Sequence, residues 1–239
     1  MSEESSKPGN GPARDHRLAA LRRMGIQVWV PRIPVPLAVA RRDPAETGTL
    51  SPAPAWTWDE LAERVAGCTA CPLHAGRTQT VFGVGNREAA WLFVGEAPGE
   101  QEDVQGEPFV GRAGQLLNEM IRAIGLRREG VYIANVVKCR PPKNRDPAPD
   151  EAAACEGYLK AQLALIRPRI IVALGRIAAQ NLLKTASPIG KLRGRVHAYD
   201  GIPLVVTYHP AYLLRSSTEK RRAWEDLKLA VRTFDQLQR

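Results

Sequence analysis

Four short, uninterrupted apolar segments constrain the fold of this chain more than any other feature of its sequence. They are WLFVG (91–95), VYIANVVK (131–138), IIVALG (170–175) and PLVVTY (203–208), and turn or loop residues bound each of them. Continuous apolar runs of this length are typical of parallel strands that are buried on both faces. Helical stretches separate them, and this alternation predicts a doubly wound α/β domain.

The stretches around these runs carry helical periodicity. Thr57 is the predicted N-cap of a helix that ends near Cys68, with Glu60 in the capping-box position. Further helices are predicted over 152–166 and 176–183. Two more have one apolar face each, formed by Leu116, Leu117, Met120, Ile121 and Ile124, and by Trp224, Leu227, Val231 and Phe234.

The first 55 residues differ in composition from the rest of the chain. Residues 1–15 are polar and charged, 16–30 resemble a short helix followed by a strand-like segment, and a proline-rich connector follows. We therefore expect an N-terminal tail and appendage of uncertain fold over 1–55, and one α/β domain over 56–239.

Charge and hydropathy narrow the classes of partner. The formal net charge of +9 favours an anionic partner such as nucleic acid, although a solvated basic surface carries the same charge. No apolar run is long enough for a membrane span, and the first residues do not resemble a secretory signal. The expected location is the cytoplasm.

The four cysteines are arranged as a close pair and a wide pair. Two residues separate Cys68 from Cys71, and fifteen separate Cys139 from Cys155. Disulfides are not expected in a reducing compartment, whereas four thiolates suit a zinc ion or an iron–sulfur cluster. Zinc ribbons usually have two close pairs, so the wide pair favours the cluster, and zinc stays the alternative.

Three long segments carry the remaining chemistry: GEAPGEQEDVQGEPFVGRAGQLL (95–117), NVVKCRPPKNRDPAPDEAAAC (135–155) and VVTYHPAYLLR (205–215). They resemble the signature motifs of family 4 uracil-DNA glycosylases, which are iron–sulfur enzymes, and the resemblance runs from about Trp56 to Gln236. It implies a three-layer fold with a central, mostly parallel four-stranded sheet flanked by helices. It also implies one 4Fe-4S cluster on Cys68, Cys71, Cys139 and Cys155.

The activity implied by this resemblance is monofunctional hydrolysis of the N-glycosidic bond of uracil in single- and double-stranded DNA, leaving an abasic site. Asn135 matches the asparagine that reads uracil, because its amide offers both an acceptor and donors. Phe109 matches the aromatic residue that stacks on the flipped base. His209 matches the histidine that donates to uracil O2 as negative charge builds on the leaving base.

The first motif leaves the position of the attacking water open. Better-known uracil glycosylases carry an aspartate where this chain has Ala97, as in family 4. Glu96 is then the carboxylate expected to hold water or to offset positive charge on the sugar, with Glu100 and Asp103 as further candidates. Gly95 and Ala97 are expected to line the uracil site, since glycine permits close backbone approach.

DNA contacts are expected on either side of these motifs. Leu213 and Leu214 are candidates for an exposed wedge that fills the vacated base stack. Basic residues expected to neutralise phosphates are Arg140, Lys143, Arg145, Lys191, Arg193, Arg195 and Arg215. We expect a monomer in the nucleoid, with residues 1–55 available for contact with another repair protein.

Three other functions are alternatives to glycosylase activity. A covalent uracil trap or an inactive DNA-binding relative is disfavoured, because Ala97 replaces the expected glutamine and no basic insertion follows Val110. An electron carrier would leave the three motifs without a purpose. A glycosylase that accepts a broader range of bases stays open.

Overall fold

The computed structural model describes residues 56–238 of the chain. The tail, the strand-like segment and the proline-rich connector predicted over 1–55 lie outside this range, so the domain boundary stays a prediction. Among the described helices, none combines the length and the apolar composition that crossing a membrane requires.

A six-stranded sheet runs through the described domain. Its strands are β1 (Val84–Gly85), β2 (Trp91–Gly95), β3 (Tyr132–Asn135), β4 (Ile170–Leu174), β5 (Val196–Tyr199) and β6 (Ile202–Thr207). They are ordered β1-β3-β2-β4-β6-β5, with the four central strands parallel and the two edge strands antiparallel. The predicted four-stranded parallel sheet is confirmed, and two edge strands extend it.

Eight α-helices surround this sheet within residues 56–238. They are α1 (Trp58–Ala66), α2 (Glu100–Gln105), α3 (Arg112–Ala123), α4 (Pro149–Ile166), α5 (Arg176–Leu183), α6 (Ile189–Leu192), α7 (Pro210–Arg215) and α8 (Lys220–Gln236). The predicted capping box of α1 is confirmed, because Glu60 N donates to Thr57 Oγ1 and Thr57 N donates to Glu60 Oε2. One face prediction is wrong: Trp224 of α8 is 40% exposed.

Alternate strand residues build the two faces of the core. Leu92, Val94 and Ala173 belong to one apolar cluster, which includes residues of α4 and α5. Phe93 and Val172 belong to the opposite cluster, which includes residues of α3 and α8. Successive side chains of a strand point to opposite faces of the sheet. Fully apolar strands therefore present apolar side chains on both faces, and helices pack against each of them.

The parallel register brings the ends of the central strands to one edge of the sheet. Gly95 at the end of β2 pairs with Asn135 at the end of β3, and Leu174 of β4 pairs with Thr207 of β6. His209 follows β6 by two residues. This edge, where ligands bind in doubly wound sheets, therefore unites residues from the three motifs.

Candidate active site

A cleft of about 410 Å³ opens at the carboxyl ends of the central strands. It is bordered by every one of the three motifs. Among the predicted site residues, those that line it are Glu96, Ala97, Phe109, Asn135, Arg145, His209 and Arg215. Three lining residues that the sequence did not single out are Glu102, Asp146 and Tyr212.

Asn135 places an unsatisfied acceptor at the base of this cleft. The residue is 2% exposed, and its Oδ1 atom is buried without a hydrogen-bond partner in the described part of the chain. Leaving a buried polar atom unpaired costs about 1–3 kcal/mol. An N–H group of a ligand would relieve that cost.

Gly95 makes room for both Asn135 and the ring of Phe109. A Cβ atom at position 95 would lie 2.4 Å from Asn135 Oδ1 and 2.7 Å from the Cε2 and Cζ atoms of Phe109. Both distances are far below van der Waals contact. Gly95 therefore supports the predicted uracil site from beneath, because the absence of a Cβ atom leaves space for the Asn135 and Phe109 side chains.

Phe109 is held in an unusual backbone conformation. Its φ is 55°, a left-handed value that costs a non-glycine residue about 1–3 kcal/mol. Glu102 Oε1 accepts hydrogen bonds from Val110 N at 3.0 Å and Gly111 N at 3.1 Å, and Arg128 Nη2 donates to the Pro108 carbonyl at 2.6 Å. These contacts on both sides hold the Phe109 ring in the wall of the cleft.

His209 lies beside Phe109, with 5.6 Å between their ring centroids. Its Nδ1 accepts a hydrogen bond from Ala211 N at 3.2 Å, so the proton of the neutral ring lies on Nε2. Burial, together with the positive charge of Arg215, lowers the pKa of His209 to about 4. At neutral pH the imidazole is therefore an uncharged donor.

The pKa of Glu96 is suited to proton transfer near neutral pH. Burial raises its pKa to about 7, and the neighbouring Asp146 carboxylate adds to this shift, while Arg176 opposes it. Asp146 in turn pairs with Arg176 at 2.5 Å. This pairing leaves no pattern in the sequence, because Arg176 follows Asp146 by thirty residues.

The two other carboxylates proposed from the sequence do not line the cleft. Asp103 is 3% exposed, and both of its oxygens accept from Thr78 N at 3.0 Å, so it orders a neighbouring loop. Glu100 points to solvent and lies 3.8 Å from Arg140. Glu102, on the intervening turn of α2, is the residue that reaches the cleft.

All four cysteines line a single small cavity, with Arg77 and Lys138 in its wall. Arg77 Nη1 donates to Cys139 Sγ at 3.1 Å, and Lys138 N donates to Cys155 Sγ at 3.3 Å. Across residues 56–238, no three His, Cys, Asp or Glu side chains form a group suited to a metal ion. The four thiols therefore border one common space.

The predicted DNA-contacting leucines have different environments. Leu213 is 1% exposed and packs with Met120, Tyr208 and Leu227, so the prediction that it forms an exposed wedge is wrong. The turn of α7 directs Leu213 into the core. Leu214 is 40% exposed and keeps the predicted exposure.

The predicted phosphate contacts also divide by environment. Lys143, Lys191, Arg195 and Arg215 are exposed, and of these Arg215 lines the cleft. Arg145 makes a two-pronged contact with Glu151 at 2.6 and 2.8 Å while it borders the cleft. Arg140 donates to Asn144 Oδ1 at 2.8 Å.

Arg193 has a structural role that the sequence did not indicate. Its Nη2 lies 2.8 Å from Asp226 Oδ2, with 14% of the arginine side chain exposed, and its guanidinium lies over the Tyr208 ring. This ion pair joins the segment before β5 to α8. These contacts disfavour the prediction that Arg193 binds phosphate.

Comparisons with known proteins give a family model and several relatives. A family model described as the uracil DNA glycosylase superfamily matches residues 82–228. The type-4 uracil-DNA glycosylase of Thermotoga maritima is 53% identical over 175 residues, covering 71% of this chain and 91% of the relative. The type-4 uracil-DNA glycosylase of Archaeoglobus fulgidus is 49% identical, covering 65% of this chain and 82% of the relative. The type-4 protein of Saccharolobus solfataricus is 45% identical, covering 71% and 83%.

Proposed function

Because the chain belongs to the uracil-DNA glycosylase superfamily, and within it to the type-4 enzymes, we propose that it excises uracil from DNA in base excision repair. The observation that carries this proposal is the unpaired Oδ1 of Asn135, buried opposite Gly95 and beside the rings of Phe109 and His209. A flat base whose edge offers an N–H beside a carbonyl satisfies this arrangement.

Base recognition follows from the chemistry of the amide. Uracil presents N3–H as a donor and O4 as an acceptor, so Asn135 Oδ1 accepts from N3–H and Asn135 Nδ2 donates to O4. Stacking of the base on Phe109 adds about 1–3 kcal/mol of sequence-independent attraction. The target nucleotide must leave the stack to reach this site, as in other enzymes that act on a base.

Bond cleavage is assisted at the opposite end of the base. When the bond between the sugar C1′ and uracil N1 breaks, its electron pair stays with the base and negative charge spreads to O2. The Nε2–H of neutral His209 donates to O2 more strongly in that state than in the ground state, which lowers the barrier. Ionised Glu96 offsets the positive charge on the sugar or holds the water that completes the abasic site.

This role for Glu96 predicts a specific pH dependence. Only the ionised carboxylate can perform it, and the pKa of about 7 means that activity should fall as pH drops through neutrality. Asp146→Asn removes the neighbouring negative charge, which should lower the pKa of Glu96. The acid limb of the pH–rate profile, measured in single turnovers, should therefore shift to lower pH by about one unit. Asp150→Asn, in an exposed residue of the same segment, is the matched control and should leave the limb in place. An unchanged limb in Asp146→Asn contradicts this role.

The function itself is tested with labelled oligonucleotides that contain one uracil, as single strands and as duplexes. Uracil should be released, and strand breaks should appear only after alkali. The buried Lys138 amine is hydrogen-bonded to Asn135 O and Gln162 Oε1, which disfavours a covalent amine intermediate. Strand breaks without alkali, or an adduct trapped by borohydride, would indicate a different mechanism; no uracil release would refute the proposed activity.

We propose that the four cysteines hold one 4Fe-4S cluster. Their common cavity suits a group of several atoms, and the Arg77 guanidinium that donates to Cys139 Sγ suits a thiolate ligand. The cluster would supply a structural cross-link between the end of α1, the segment after β3 and helix α4. Such a link orders a long stretch of chain beside the cleft.

The cluster proposal predicts an iron-containing, brown protein. Anaerobically purified protein should contain about four iron and four sulfide ions per chain, as one cubane cluster requires. Cys155→Ser should reduce the iron content and lower the melting temperature, because metal binding and folding are coupled. One zinc ion per chain, without iron or sulfide, would contradict this prediction and support the zinc alternative.

Further contacts with DNA are proposed for α7 and for basic residues beside the cleft. Tyr212 of α7 lines the cleft and is exposed, and Leu214 on the same helix is also exposed, so both suit the filling of the space that the flipped base leaves. Arg215, Lys143 and Arg140 lie on the motifs that border the cleft and suit phosphates. We propose a monomeric enzyme associated with the nucleoid in the cytoplasm, in which residues 1–55 bind another repair protein.

A further inference from the structure

The side chain of Lys138 is one of the few charged groups in the described core. It is 1% exposed, and its Nζ donates to the main-chain carbonyl of Asn135 at 3.1 Å and to Gln162 Oε1 at 2.6 Å. A buried ammonium is costly unless it is hydrogen-bonded, so these two contacts account for its stability in this position. One of them is to the residue that recognises the base.

The backbone around Asn135 explains what this contact does. Val136 N donates to Gly95 O at 2.9 Å and Val137 N donates to Glu96 O at 3.1 Å, so the segment after β3 stays attached to the first motif. The Asn135 carbonyl points the other way, toward Lys138 Nζ. The ammonium therefore helps to set the peptide orientation from which the Asn135 side chain enters the cleft.

The second contact of Lys138 leads to the helix that carries a cysteine. Gln162 and Cys155 are seven residues apart on α4, so they lie on the same helical face. Lys138 N also donates to Cys155 Sγ, and Cys139 is the next residue. Gln162 is anchored in turn, because its Nε2 donates to the Phe82 carbonyl at 2.8 Å and to Tyr132 Oη at 3.3 Å.

We infer that Lys138 is a positioning residue for base recognition, which couples the cysteine-bearing helix α4 to the Asn135 amide through Gln162. The inference rests on the proposed function, because it assigns Asn135 to uracil. It implies that Lys138 affects the choice of base more than the affinity for DNA. A residue that only stabilises the fold would lower both together.

The test compares Lys138→Met with Tyr132→Phe. Methionine keeps an unbranched side chain of similar length and removes the donor. Tyr132→Phe removes a hydroxyl from the same network and leaves both contacts of Lys138. Binding is measured with oligonucleotides that carry 2′-fluoro-2′-deoxyuridine, which resists cleavage, or 2′-fluoro-2′-deoxycytidine. An oligonucleotide with a tetrahydrofuran abasic analogue reports affinity without a base, and iron per chain reports the cluster.

In Lys138→Met the preference for the uracil over the cytosine oligonucleotide should fall by about tenfold, since misplacement by about 1 Å from a remote change can cost up to ~10²-fold. Iron content and affinity for the abasic analogue should match the wild type, and Tyr132→Phe should keep the preference. The inference is overturned if Lys138→Met prefers the uracil oligonucleotide as strongly as Tyr132→Phe does. It is also overturned if the preference falls only in proportion to the loss of iron.

A second variant keeps the test decisive if Lys138→Met does not fold. Gln162→Leu leaves Lys138 in place and removes the acceptor that holds Nζ near the Asn135 carbonyl, so it should reduce the preference for uracil in the same direction. An unchanged preference in folded Gln162→Leu also overturns the inference. Absence of uracil preference and of uracil release in the wild-type protein would instead refute the proposed function.

Discussion

Replacing Asn135 with aspartate should lower the rate of uracil excision by ~10²-fold or more, by analogy with sites in which a buried pairing group is mismatched. The carboxylate keeps the acceptor for N3–H but puts a second acceptor opposite uracil O4, where a donor is required. The same acceptor matches the N4 amino group of cytosine, so slow cytosine excision should appear. Single-turnover assays on matched uracil and cytosine oligonucleotides measure both changes.

The matched control for this substitution is Asn181→Asp. Asn181 lies on α5, where its Nδ2 donates to the Ile177 carbonyl, and it does not line the cleft. Its rate should stay within about twofold of the wild type, because substitutions away from a site have small effects. If Asn135→Ala also keeps uracil excision within a few-fold of the wild type, Asn135 does not recognise the base.

Replacing His209 with alanine should lower the rate of uracil release by ~10²–10³-fold, which is the usual loss when one donor to a developing oxyanion is removed. DNA affinity should change little, because the hydrogen bond to O2 strengthens mainly in the transition state. Single-turnover rates and binding to an abasic analogue separate these two effects.

His197→Ala provides the matched control for His209→Ala. The ring of His197 lies 2.6 Å from the Leu192 carbonyl, away from the cleft, so its removal should spare the chemical step. Because the pKa of His209 is about 4, its protonation should not limit the rate near neutral pH. A His209→Ala rate within tenfold of the wild type, or an activity that requires the charged imidazole, would contradict this mechanism.

The central strands were predictable because burial on both faces leaves no room for polar residues. Trp91–Gly95 and Ile170–Leu174 are such strands, and the sequence marks their bounds closely. The edge strands lack this signal: β1 has two residues, and β5 (Val196–Tyr199) is mostly solvent-accessible. Edge strands that are buried on one face at most lack a long apolar run, so they resemble loops in a single sequence.

The site residues that lie in the sequence motifs were predictable. The roles of residues that depend on tertiary contacts were not. Asn135, Phe109 and His209 lie in the three motifs and meet in the cleft. Arg193 instead pairs with Asp226, 33 residues later, and the burial of Leu213 depends on the rotation of a six-residue helix. Neither contact leaves a periodic pattern, so charge and hydrophobicity alone suggested DNA binding for both residues.

The fixed conformation of Phe109 has a consequence for how the enzyme searches DNA. Its strained backbone is held by Glu102 on one side and Arg128 on the other, so contacts within the protein itself fix the aromatic wall. A receptor formed in advance selects among bases that thermal fluctuations have already exposed. We therefore expect the rate of capture to depend on how often a nucleotide opens, so that weakly paired uracil is excised faster than stably paired uracil.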